Sequence, residues 1–151
     1  IVTMAKAMGN GFPIGAVLAK ERVAAAFVPG SHASTFGGNP LAMAAAKATL
    51  EFMLREGIIA DCREKGTYFM NLLSDLQQRH EVIKEVRGRG LLIGMELRSE
   101  AGGFINKALA RGLLIASAGP NVLRFVPPLI VTREDMDRAV SILDAVLKEG
   151  K

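Results

Sequence analysis

The spacing of apolar residues along the chain predicts its elements. Residues 1–5 suit a short strand and Ile14 to Leu18 another, with the glycine-rich turn Gly9-Asn10-Gly11-Phe12-Pro13 between them. Glu21 to Phe27 is read as a short helix before Pro29-Gly30, and Ser31 to Gly38 as a loop of small, polar residues. Asn39-Pro40 then has the form of a helix start, with asparagine as N-cap and proline at the first helical position. This helix is predicted to run to about Glu56 and to stop at Gly57, which tolerates the left-handed conformation that closes helices. Leu41, Ala45, Ala48 and Phe52 are assigned to its inner face, and Lys47, Glu51 and Arg55 to another. Its many alanines predict close approach to a neighbouring backbone. A further helix is expected from Ile58 to Arg79, burying Ile59, Cys62, Phe69, Leu72, Leu73 and Leu76.

From Val82 the period shortens. Val82 to Arg87 and Leu91 to Arg98 read as a hairpin around Gly88-Arg89-Gly90, with Leu91, Ile93, Met95 and Leu97 on a core face. A short helix from Gly103 to Arg111 should end at Gly112, followed by strands at Leu113 to Ala116 and Asn121 to Val126. Thr132 and Asp135 form a capping-box pair for a last helix whose buried stripe is Met136, Val140, Leu143 and Leu147. The second half is therefore expected to be a two-layer α+β unit.

The chain has 151 residues, half of them hydrophobic and 23% charged, which excludes a disordered or collagen-like polymer. Nineteen basic against fifteen acidic residues leave a net charge of +4, scattered rather than striped, so no nucleic-acid partner is expected. The scarcity of aromatic residues argues against a base-stacking surface. A single cysteine, Cys62, excludes an internal disulfide framework and fits a reducing compartment. The longest uncharged stretch, Val23 to Ala46, is too interrupted by glycine and proline to span a bilayer, so no membrane partner is expected. The chain opens on a strand-like segment without an initiator methionine, and the expectation is a fragment of a larger cytoplasmic protein.

Several residues are candidates for chemistry. Gly9-x-Gly11-x-x-x-Gly15 and Gly88-x-Gly90-x-x-x-Gly94 miss the third spacing of dinucleotide fingerprints, and tight turns account for them better. Lys6 follows an apolar strand and precedes a flexible glycine turn. A lysine amine there is anchored at its base, has a long reach, and becomes nucleophilic on desolvation, as imine chemistry requires; a surface lysine is the alternative. Ser34-Thr35-Phe36-Gly37-Gly38-Asn39-Pro40 combines two hydroxyls, open backbone N–H groups and a helix start, suiting either an anion or a capped turn. Arg124 shares a strand face with Val122 and Val126, where a guanidinium calls for a carboxylate from the protein or from a substrate. His32 and His80 lack ligand spacing, and no metal site is expected. Cys62 is read as a core residue, and Lys84, Arg87 and Arg89 as a solvated strand edge.

These segments together resemble the class III pyridoxal-phosphate-dependent aminotransferases, whose fold is the α/β architecture called fold type I. The resemblance is carried by residues 3–16 (TMAKAMGNGFPIGA), 30–42 (GSHASTFGGNPLA), 86–91 (VRGRGL) and 118–129 (AGPNVLRFVPPL), the last similar to the acetylornithine branch. It implies that Lys6 condenses with the aldehyde of pyridoxal 5'-phosphate and moves a proton between substrate Cα and cofactor C4′. Thr35 would bind the cofactor phosphate, reaching the partner's site in a homodimer. Ser34 would adjoin the substrate, and Arg124 would meet a substrate carboxylate. The implied reaction moves the terminal amino group of N2-acetylornithine to 2-oxoglutarate, an arginine-biosynthesis step, with ornithine or 4-aminobutyrate transaminases as the alternative. Residues 1–57 would be the end of the large cofactor-binding domain with its interdomain helix, and 58–151 the small C-terminal α+β domain. The family's chain is longer, and its groups that stack on and pair with the cofactor ring precede Ile1. The fragment alone is accordingly expected to be inactive. A reading of another class is a non-catalytic association module in which Lys6 is incidental.

Overall fold

A computed structural model describes residues 1–150. They form two compact units, Ile1–Gly57 and the residues from Ile58 onward.

In the first unit, strand β1 (Val2–Met4) pairs antiparallel with β2 (Ala16–Leu18), Thr3 opposite Val17. The expected strand from Ile14 begins two residues later. Ile14 instead turns its Cγ2 to within 2.9 Å of where a Cβ of Gly9 would sit, and so leaves the ladder. Between the strands, Lys6–Gly9 forms a 3-10 turn that periodicity does not predict. Helix α1 (Glu21–Ala24) is shorter than its predicted range; the chain continues as tighter turns bonded three residues apart, Ala26 N–H to Val23 O and Phe27 N–H to Ala24 O.

Helix α2 (Pro40–Arg55) starts where the Asn-Pro signal places it, and Gly57 follows its end with φ +64°. Its inner face requires a correction. Ala42 and Ala46 are buried, whereas Leu41, Ala48 and Phe52 are exposed. The reason is steric: α2 packs on the 3-10 turn Lys6–Gly9, and the narrow alanine stripe allows a backbone to lie close where leucine and phenylalanine would hold it away.

The second unit is one antiparallel sheet with helices on one face. Helix α3 (Ile58–Arg79) leads into β3 (Ile83–Arg89) and β4 (Leu92–Leu97), then α4 (Gly102–Ala110), β5 (Ala116–Ser117), β6 (Val122–Phe125) and α5 (Arg133–Lys148), with strand order β3-β4-β6-β5. Phe69, Leu73 and Leu76 of α3, Ile93, Met95 and Leu97 of β4, Leu123 and Phe125 of β6, and Met136, Leu143 and Leu147 of α5 make a single core. Phe69 and Phe125 meet edge to face with ring centroids 5.5 Å apart. The predicted capping box is present: Asp135 N–H donates to Thr132 Oγ1 at 3.1 Å and Thr132 N–H to the Asp135 carboxylate at 3.1 Å.

Three details differ from expectation. At the start of α3 Ile58 is buried and Ile59 exposed, while Phe69, Leu73 and Leu76 are buried as the spacing predicts. The hairpin turn is Gly90-Leu91, since Arg89 already pairs with Leu92 and Gly88 with Ile93. The strand after α4 begins at Ala116, because Leu113 is tied back to α4 by its N–H bond to Ala108 O.

Two contacts hold this unit in ways that hydrophobic spacing does not show. A Cβ on Gly66 of α3 would lie 2.5 Å from the backbone of Gly90, so helix and hairpin turn touch main chain to main chain. The carboxylate of Asp144 on α5 accepts from Arg79 (2.9 Å), meets the buried His80 (2.7 Å) and accepts from Lys148 (2.7 Å). The Lys148 ammonium and His80 hold it well below the usual carboxylate range.

Gly66→Ala is expected to destabilise the protein by about 1–3 kcal/mol in denaturant unfolding, because overpacking outweighs alanine's helix preference of about 1 kcal/mol. Because the Asp144 carboxyl is depressed in the folded state, its stabilisation is present above the ordinary aspartate range, about pH 4, and is lost as pH falls below it. Asp144→Asn should therefore lower stability at neutral pH and flatten the loss of stability on acidification, as measured by unfolding at a series of pH values.

Candidate active site

Lys6, Ser34 and Thr35 lie in the first unit and Arg124 in the second. β1 ends at Met4, so Lys6 opens the 3-10 turn rather than closing the strand. Its backbone has φ +58°, a left-handed conformation that costs an L-residue roughly 1–2 kcal/mol. Asn10, at the far end of the turn, is the other non-glycine residue with positive φ among the described residues, at +47°. The turn is closed by Met8 N–H to Ala5 O (3.3 Å) and Asn10 N–H to Ala7 O (3.0 Å), and Gly9 is buried. The Lys6 side chain itself is exposed. Strained backbone of this kind concentrates where a side chain must point in a direction the ordinary conformations do not offer.

Ser34 and Thr35 are carried by the segment between two turns. The earlier one, Val28-Pro29-Gly30-Ser31, is closed by Ser31 N–H to Val28 O (3.0 Å) and locked by the Ser31 hydroxyl, which donates to the same carbonyl at 2.7 Å. The later one, Phe36-Gly37-Gly38-Asn39, is closed by Asn39 N–H to Phe36 O (3.2 Å), with Gly38 at the φ of +71° that a type II turn needs at its third residue. The Asn39 side chain accepts from Ala42 N–H (2.9 Å), capping α2, and its Nδ2 donates to Phe36 O (2.9 Å). The hydroxyls of Ser34 and Thr35 are exposed and take no partner among the described residues. Both hydroxyls are thus free for a ligand on a loop whose backbone is tied down, which fits the phosphate of the implied cofactor.

Arg124 departs from its predicted surroundings. Val122 is nearly buried, but Val126 lies beyond the end of β6 and is exposed, and the guanidinium is exposed as well. β6 turns Leu123 and Phe125 into the core and leaves Arg124 on the open face, so no burial cost demands a partner. Among the described residues it forms no ion pair. It stands opposite Gly94 of β4 and Ala116 of β5, two residues too small to cover it. Arg124, Ala116, Val126 and Met136 line a cleft of about 410 Å³. The other charged residue lining that cleft, Asp135, is engaged by Thr132. Glu96, on the same sheet, is held below the ordinary carboxylate range by Lys84 and Arg87 (2.6 and 2.7 Å), which leaves Arg124 uncontested. Lys84 and Arg87 therefore form ion pairs on the edge strand β3 rather than a purely solvated edge. Cys62 is half-buried, and burial pushes its thiol up, away from nucleophilic use.

The residues missed by sequence reasoning are Gly37 and the second role of Asn39. The Asn-Pro pair signals a cap; that the same amide also binds a carbonyl of the preceding turn has no signature in spacing.

Comparison with known proteins identifies the family of the chain. The family model described as aminotransferase class-III matches residues 1–147. Among curated proteins, the acetylornithine aminotransferase of Caldanaerobacter subterraneus subsp. tengcongensis is 55% identical over 150 residues, which are 99% of this chain and 38% of that protein. Among solved structures, acetylornithine aminotransferase from Elizabethkingia anophelis superposes with a TM-score of 0.89 at 31% identity, over 97% of this chain and 40% of that one. The ornithine δ-aminotransferase of Plasmodium falciparum superposes with a TM-score of 0.91 at 31% identity, over 97% of this chain and 39% of that one. The chain thus spans about two fifths of the length of these relatives. With nearly its whole length matched, and with the α/β fold of these enzymes, the chain belongs to the class-III aminotransferase family.

Proposed function

We propose that the chain supplies the lysine-bearing end of the large domain, residues 1–57, and the small C-terminal domain, residues 58–151, of a pyridoxal-phosphate-dependent aminotransferase. The amino donor is N2-acetylornithine, reacting through its terminal amine, and the acceptor is 2-oxoglutarate. The protein acts in the cytoplasm as a homodimer. No helix among the described residues is long and apolar enough to cross a membrane. The observation that carries the reading is Lys6: an exposed amine on a backbone held at φ +58° between a strand and a tight turn.

When bound, pyridoxal phosphate supplies an aldehyde for amines and an electron sink for the carbon that loses its proton. This chain's residues hold that chemistry in place. Lys6 Nζ would hold the cofactor and would take and return the proton at the amine-bearing carbon, the short turn limiting the positions the amine reaches. Thr35 offers its free hydroxyl to the phosphate, in the partner's site of the dimer, and Ser34 adjoins the substrate. Arg124, without an ion pair among the described residues and flanked by Gly94 and Ala116, would fork a substrate carboxylate through two parallel N–H donors. By the family resemblance, the groups that stack on the cofactor ring would lie outside these 151 residues, which by themselves would then be inactive.

In the full-length protein, Lys6→Ala should lower transamination of N2-acetylornithine with 2-oxoglutarate on the order of 10³-fold or more with the fold intact. Lys6→Gly should be as inactive yet about 1 kcal/mol more stable than Lys6→Ala, since glycine accepts the left-handed backbone. Turnover unchanged in both variants would assign the chain to a non-catalytic role. N2-acetylornithine should also be turned over with a higher kcat/KM than free ornithine; the reverse order would assign the ornithine substrate instead.

A further inference from the structure

The hydroxyl of Thr35 sits on a segment fastened at both ends. On one side, Ser34 folds back over Gly37: a Cβ there would lie 2.9 Å from Ser34 Cβ and 3.0 Å from its Oγ. On the other, the carbonyl of Phe36 accepts from both the backbone N–H and the side-chain Nδ2 of Asn39, at 3.2 and 2.9 Å. Asn39 is in turn locked to the helix, because its Oδ1 accepts from Ala42 N–H at 2.9 Å. Capping alone does not require asparagine, since serine caps as well. What serine lacks is the reach to hold Phe36 while it caps.

We infer that Asn39 and Gly37 are positioning residues for Thr35, fixing the 34–36 backbone so that the hydroxyl meets a phosphate without being ordered at the moment of binding. This rests on the aminotransferase reading above. A loop freed of either restraint must be ordered when the ligand arrives, and that entropy is subtracted from affinity. The effect should concern the phosphate alone, because Gly37 has no side chain and both polar atoms of the Asn39 amide are already engaged within the chain.

The test uses the full-length protein with Asn39→Ser, Gly37→Ala and Thr35→Ala. Apoprotein is titrated with pyridoxal phosphate and, separately, with pyridoxal, following the absorbance of the bound chromophore, and the thermal midpoint of each apoprotein is recorded. Asn39→Ser should bind pyridoxal phosphate about three- to tenfold more weakly, the loss of one net hydrogen bond. Gly37→Ala should lose at least as much. Both should bind pyridoxal as the wild type does, with only a small fall in the apoprotein midpoint, because the contact each gives up is local to an exposed loop. If both bind pyridoxal phosphate as tightly as wild type while Thr35→Ala does not, the positioning role is wrong and the cofactor reading stands. If Thr35→Ala also binds normally, the assignment of Thr35 to the phosphate falls with it. Equal losses for pyridoxal and its phosphate would make the two residues structural only.

Discussion

The left-handed backbone at Lys6 is the constraint on which the functional reading depends. An L-residue does not stay there unless its surroundings hold it, at a cost of roughly 1–2 kcal/mol. Here the holding groups are identifiable: β1 fixes the approach, the hydrogen bonds of the 3-10 turn fix the exit, and α2 packs on that turn through Ala42 and Ala46. The alanines matter for their smallness. A larger side chain in that stripe would lift the helix from the turn and release the strain that sets where the amine points. The same helix begins at Asn39, so the element that supports the lysine also bears the loop with Ser34 and Thr35.

The second unit separates support from recognition by the two faces of one sheet. Leu123 and Phe125 enter a core shared with α3, α4 and α5, while Arg124 between them stands on the open face. Its availability follows from what its neighbours are and what they already bind. Gly94 and Ala116 cannot cover it, and the nearby carboxylates of Glu96 and Asp135 are taken by Lys84, Arg87 and Thr132. A guanidinium kept free of protein carboxylates is ready for one from outside.

Much of this was legible in the sequence, for reasons that are local. The Asn39-Pro40 start, the Thr132–Asp135 capping box and the alternation Leu91, Ile93, Met95, Leu97 each depend on residues close in the chain, and each stands in the structure where it was read. Where the reading failed, a distant segment decided. The inner face of α2 is set by the 3-10 turn, so Leu41 and Phe52, the larger apolar residues, point outward. Gly66 looks like a weak point in a helix until the backbone of Gly90 is found against it. At the site, the segment containing Lys6 was readable as a motif, but its φ of +58° and the second hydrogen bond of Asn39 were not, because no composition or period encodes them.

The central claim is that one amine of this chain condenses with an aldehyde cofactor. Borohydride reduction of the full-length protein loaded with pyridoxal phosphate, followed by peptide mass spectrometry, reads that bond directly. The account predicts a stable phosphopyridoxyl group on the Nζ of Lys6 in stoichiometric yield. A label on Lys20, Lys47 or another lysine, with Lys6 unmodified, would contradict it.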